Sequence, residues 1–249
     1  MAGHNKWSKV KRLKGALDAK RGKIFSKLAK EITLAARQGG DPDLNPRLRS
    51  AILAGRAQNM PNDNVERAIK RGTGDAEGGI IEEIAYEAYG PNGIAIILEA
   101  ATDNRNRTAQ DLRTILTKFG GNLGSSGSVT YLFKRRGQIM LPKLQVDEDR
   151  LFEILIESGG EELTTEDDSF MVITAPDHLY RVAAAIRAAG FQPESQKLVY
   201  MPETTVVVSD EKQASQILRL FDAIEENEDV QNVFSNFDIP SELMAALSL

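Results

Sequence analysis

The stretch GQIMLPKLQVDEDRLFEILIESGGEELTTEDDSFMVITAPDHLYRVAAAIRAAGFQPESQKLVYM (residues 137–201) decides how the chain is partitioned. Apolar alternation and β-branched runs mark strands at GQIMLP (137–142), ELTTE (162–166), FMVIT (170–174) and KLVYM (197–201). Between them, helical spacing marks 148–158 and 177–189; Leu179, Val182, Ala183 and Ile186 recur at i, i+3, i+4, i+7. The resulting order, βαββαβ, is that of a ferredoxin-like split βαβ unit, assigned to residues 134–202.

Elements on either side of this unit are incomplete alone. Upstream, strands are expected at 81–89 and 93–100, joined by Gly90-Pro91-Asn92-Gly93, then a helix at 105–119 and a strand at SVTYLF (128–133). Downstream come TTVVVS (204–209), a helix at 211–226 and VQNVFSNF (230–237). Together, residues 79–133 and 203–249 make a middle α+β domain into which the ferredoxin-like domain is inserted. Ahead of the linker GTGDAEGG (72–79), three helices are expected within 22–78. The first carries Ile24, Phe25, Leu28, Ile32 and Ala35 on one side and stops at Gly39-Gly40. The second starts at Asn45-Pro46, with Gly55 on its inward stripe, and the third begins near Pro61–Asp63 with an Asp63/Glu66 capping box. Residues 1–21 form a basic arm. The fold class is therefore α+β and multidomain: an N-terminal three-helix domain, a middle α+β domain and a ferredoxin-like insertion.

Charge divides along the same lines. The chain's formal charge is −5, yet residues 1–75 hold 17 Lys and Arg against 7 Asp and Glu, a net of +10. Residues 76–249 hold 14 against 29, a net of −15. A basic module on an acidic body points to a polyanionic partner. On the first helix, Lys20, Lys23, Lys27, Lys30 and Arg37 fall opposite the apolar side listed above, and the arm adds Lys6, Trp7, Lys9, Lys11, Arg12, Lys14 and Arg21. Trp7 could stack on a base or pack on the helical domain. Arg105 and Arg107 open the helix after TDNRNRT (102–108), against the helix dipole, so they face either a bound anion or acids such as Glu87, Glu99 or Asp103. The loop GGNLGSSGS (120–128) offers backbone donors to a phosphate but lacks P-loop spacing, which favours a connector.

With no cysteine and two histidines, the chain offers no disulfide, thiolate or His/Cys metal cluster. No GxSxG or HExxH occurs. No catalytic residue, metal or cofactor is assigned, and the chain is read as not an enzyme; a metal held by Glu87, Glu99 and Asp103 is the remote alternative. No apolar run is long enough to span a membrane, and the basic N-terminus lacks the apolar stretch of a secretory signal. A cytoplasmic address is expected.

AGHNKW (2–7), LDAKRGKIFSKLAKEI (17–32), NMPNDNVERAIKRG (59–72), YEAYGPNG (86–93) and the segment from TDNRNRT to GGNLGSSGSVTYLF (102–133) resemble the YebC/PmpR family over nearly the whole chain. Departures occur at Asn5, Arg12-Leu13, Asn62 and Ala88. The resemblance implies three domains, one inserted in another, and no enzymatic activity. It also implies a DNA-binding transcriptional regulator, or alternatively a translation factor that binds the ribosome or its RNA at proline-rich stalls; mitochondrial relatives are described as translational activators. Aromatics at 6% argue against an extended stacking platform. Duplex DNA or structured RNA recognised by backbone and shape is the expected partner, and the oligomeric state is left open.

Overall fold

The computed structural model describes residues 19–75, 79–166 and 168–247. Its contacts divide the chain into two compact units, residues 1–133 with 202–249, and residues 134–201.

The first unit begins with α1 (Ala19–Ala36), α2 (Pro46–Ala57) and α3 (Asn62–Thr73). Asn45 caps α2 by accepting from the Leu48 amide at 3.0 Å, and its own amide donates to the Ala35 and Gly39 carbonyls at the end of α1. One side chain therefore closes both helices of the hairpin. The expected capping box does not form. Helix α3 starts at Asn62 after Pro61, which makes no side-chain cap bond, so Asp63 lies inside the first turn, where its charge suits the dipole. Ile32, Ala35 and Ala36 of α1 pack with Leu48, Ile52, Met60, Val65 and Ala68. Helices α1 and α3 touch closely at Gly72, where a Cβ would lie 2.3 Å from the Thr33 carbonyl oxygen.

Next come β1 (Glu82–Tyr89), β2 (Ala95–Thr102), α4 (Arg105–Lys118) and β3 (Asn122–Leu123). Residues 128–133 depart from the expected strand: a short 3₁₀ turn occupies Thr130–Leu132, and β4 (Phe133–Pro142) begins only at Phe133. Glu87 captures the Val129 and Thr130 amides of this segment, as described below.

The second unit takes β4 through α5 (Glu148–Ser158), β5 (Gly160–Thr165), β6 (Ser169–Thr174), α6 (Leu179–Ala188) and β7 (Ser195–Pro202). Its sheet order is β5-β6-β4-β7, and β6 runs antiparallel to both β4 and β5. Numbered within the unit, that is the 2-3-1-4 order of a split βαβ sheet. Its core joins Ile139, Leu141, Leu151, Phe170, Leu179 and Val182.

The chain then returns to the first unit with β8 (Val206–Val207), α7 (Glu211–Glu225), β9 (Val230–Ser235), β10 (Phe237–Asp238) and α8 (Ser241–Leu247). Only Val206 and Val207 of the strand expected at 204–209 pair, in parallel with β10. The main sheet has the order β3-β1-β2-β9, and β1, β2 and β9 run antiparallel. Every residue of β2 is buried. Ile96 and Leu98 face the core built with α4 and α7, while Ala101, on the opposite face, meets Leu34 of α1 and Ile81. Cover on both faces explains why AIILEAAT carries apolar residues at successive positions rather than in alternation.

Candidate nucleic-acid interface

Helix α7 ends in Glu225-Glu226-Asn227-Glu228-Asp229, with no basic residue in its last turn. Acids there oppose the macrodipole, and the last carbonyls need donors. Helix α1 supplies them. Lys27 donates to the Glu225 carbonyl at 2.7 Å and Lys23 to the Glu226 carbonyl at 3.4 Å. Lys30 donates to the Glu228 carbonyl at 2.9 Å and to Asp229 Oδ1 at 2.7 Å.

This corrects the expectation of an outward cationic face. At 100° per residue, Lys23, Lys27, Lys30, Leu34 and Arg37 lie within about 80° of one another on α1. Leu34 packs on Ile81 and Ala101, and Arg37 donates to the Ile81 carbonyl at 3.0 Å. The stripe opposite the three-helix core is thus a second docking face, turned onto the protein's own sheet and helix end. Arg47 reinforces the junction, bonding Glu31 at 2.9 Å and Glu83 at 3.1 Å.

Arg105 and Arg107 likewise find acids. Arg105 pairs with Glu82. Arg107 reaches Asp103 at 3.1 Å and Asp229 at 3.0 Å. Asp229 is 5% exposed and also accepts from Thr108 at 2.7 Å. Burial alone would raise its carboxyl, but the bonds from Lys30, Thr108 and Arg107 outweigh that and push it down to about 2. A polar cleft of about 530 Å³ opens beside this cluster, lined by Ser26, Lys30, Arg71, Asp103, Arg107 and Asp229 among others.

The Gly- and Ser-rich loop is also spoken for. Glu87 accepts from the Gly127 amide at 2.6 Å and the Val129 amide at 2.7 Å, and from Thr130 at 2.9 Å. Burial raises this carboxyl, but the loop's donors prevail and hold it below the usual range. Within 120–128 the Gly127 amide is thereby taken by an internal anion, and the Gly124 amide donates to the Glu87 carbonyl at 2.7 Å. Glu99 accepts from Asn232 and Asp103 from Arg107, so the three acids named for a metal are each engaged elsewhere. Among the described residues, no group of three His, Cys, Asp or Glu is placed to hold a metal ion.

Lys6, Trp7, Lys9, Lys11, Arg12 and Lys14 lie outside the described residues, as do the side chains of Lys20 and Arg21. Two exposed cations of α3, Arg67 and Lys70, were not singled out by sequence and have no partner among the described residues. Their one-turn spacing beyond Val65 and Ala68 is the signal that marks them.

Residues 5–75 match the family model described as the TACO1/YebC protein N-terminal domain, and residues 81–237 that of the TACO1/YebC second and third domain. The chain belongs to the TACO1/YebC family. A "probable transcriptional regulatory protein" of Syntrophobacter fumaroxidans is 51% identical over 245 residues, 98% of each chain. One of the same name from Persephonella marina is 51% identical over the full length of both. The crystal structure of the conserved hypothetical protein Aq1575 from Aquifex aeolicus superposes with a TM-score of 0.83 at 45% identity, covering 90% of this chain and 93% of that one. The relatives from Syntrophobacter fumaroxidans and Persephonella marina are both named as probable transcriptional regulatory proteins. Among the described residues, no helix is long and apolar enough to cross a membrane.

Proposed function

We propose that this TACO1/YebC protein is a DNA-binding transcriptional regulator that grips the phosphate backbone through its N-terminal cations. The observation that carries this reading is the division of charge, +10 in residues 1–75 against −15 in the rest. Relatives of matching length named as transcriptional regulators support it. Lysines 23, 27 and 30 serve the internal junction, so the contact shifts to Lys6, Lys9, Lys11, Arg12, Lys14, Lys20 and Arg21, joined by Arg67 and Lys70. The acidic remainder repels the duplex and confines it to this end. No base-reading pattern accompanies these cations, so backbone and shape are what they recognise.

Fluorescence anisotropy of the full chain on duplex DNA tests this. With about five phosphate contacts, log K against log salt should slope near −4 to −5. Reversing Lys9, Lys11, Arg12 and Lys14 to Glu should flatten that slope by roughly 0.9 per lost contact and remove most of the affinity. An unchanged slope and affinity in that variant refutes the reading. Tighter binding to a ribosomal RNA fragment than to duplex at equal salt transfers the interface to structured RNA.

A further inference from the structure

Two exposed helix faces on this chain are complementary in charge and alike in carrying bare apolar side chains. On α5, Phe152 is 55% and Ile156 66% exposed. Asp149, Glu153 and Glu157 lie within about 140° of Phe152 on the same open side, and have no partner among the described residues. On α2, Leu53 is 47% exposed. Arg49 and Arg56 fall within about 60° of Leu53, and the helix contains no acid. Arg56 has no partner among the described residues, and Arg49 ties down the adjoining loop through the Pro42 and Asp43 carbonyls. That loop carries Leu44, 84% exposed.

We infer that the α2 face of one copy docks on the α5 face of a second copy of this chain, with Leu53 against Phe152 and Ile156 and the arginines against the carboxylates. Each exposed apolar stripe is too small to hold a partner alone, and each is bordered by one sign of charge, so the fit selects the opposite stripe. Both stripes belong to every copy. Each copy can therefore both offer and accept the contact. The inference is independent of DNA binding.

Sedimentation equilibrium of the full chain without nucleic acid tests it. The average mass should rise above 27.4 kDa with concentration, over the range of roughly 10–100 μM suited to a small charged interface. Glu153→Arg/Glu157→Arg and Arg49→Glu/Arg56→Glu should each weaken the dimer about tenfold or more. Phe152→Ser/Ile156→Ser tests the apolar part, and far-ultraviolet circular dichroism confirms that each variant is folded. The decisive arm mixes the two charge-reversed proteins: a contact between unlike variants again pairs opposite charges, so association should return to near the wild-type level. A chain that stays monomeric at all concentrations, or a mixture that fails to reassociate, overturns the inference.

Discussion

Replacing Asp229 with Asn removes one charge from the junction between α1, α4 and α7 while keeping its shape. Asp229 takes Lys30 at 2.7 Å, Thr108 at 2.7 Å and Arg107 at 3.0 Å, and these donors lower its carboxyl from 3.8 to about 2. A drop of that size corresponds to about 2 kcal/mol in favour of the ionised folded form. In a unit of this size, that is roughly 4–8 °C in melting temperature. Asp229→Asn should show this loss at pH 7 by thermal unfolding. The sign with pH follows from linkage: a depressed folded pKa means that the unfolded chain binds more protons between about 4 and 2, so the contribution is complete above 3.8 and disappears as pH falls through about 2. The amide has no such component. The gap between the two proteins should therefore narrow as the solution is acidified and close near pH 2. A gap that is absent at neutral pH, or stays constant down to pH 2, refutes the assignment of Asp229 as the charged centre of the junction.

Three further outcomes follow from the same geometry. Gly72→Ala should cost about 1–3 kcal/mol in the urea midpoint, since its Cβ would fall 2.3 Å from the Thr33 carbonyl oxygen and 2.7 Å from the Ala36 Cβ. Gly22→Ala, on the same α1 helix but with nothing within 4 Å, should instead stabilise by about 0.5–1 kcal/mol. Glu87→Gln replaces one acceptor oxygen with a donor facing the amides of residues 127–130, so hydrogen exchange there should accelerate and stability fall by about 1–3 kcal/mol; unaltered exchange would show that the loop is held by something else. Reversing Lys23, Lys27 and Lys30 to Glu should keep the helices but loosen the α1–α7 contact in hydrogen exchange, with less effect on DNA affinity than reversing the cations at positions 9–14.

Local rules were legible wherever a residue's role is settled by its own neighbours in sequence. Asn45-Pro46 announced a capped helix, and the structure shows the cap bond; the Gly90–Gly93 turn separates β1 from β2. Within 134–201, periodicity marks each strand and α-helix found among the described residues, with ends differing by a few residues, but not the short 3₁₀ helix at Lys143–Gln145. The failures have two physical origins. Residues 128–133 look like a strand because their side chains favour one, but their amides are taken by Glu87, some 40 residues earlier. Asp63 and Glu66 have box spacing, but the cap position falls at Pro61, two residues too early for the box to close. In the first case a competitor for backbone bonds lay far outside the window that periodicity examines; in the second a neighbouring proline fixed where the helix begins.

The lysines of α1 show where a charge pattern stops being informative and what restores it. A row of cations opposite an apolar core face suits solvent, a polyanion, or the acidic end of another helix equally well, and periodicity cannot choose among them. Leu34 can. It sits in the middle of the row, about 20° from Lys23, and a large apolar residue there has no reason to be in water or against phosphates. The other half of the signal is Glu225-Glu226-Asn227-Glu228-Asp229, acids gathered where a helix dipole disfavours them, nearly 200 residues away. Each anomaly is mild alone. Taken together they identify each other: a helix end in need of donors, and a cationic row whose central leucine needs cover, which the structure supplies with Ile81 and Ala101. A charged stripe interrupted by a buried leucine is thus better evidence for an intramolecular joint than for an external partner, and a charge count over the N-terminal module overstates what that module can offer a nucleic acid by at least Lys23, Lys27 and Lys30.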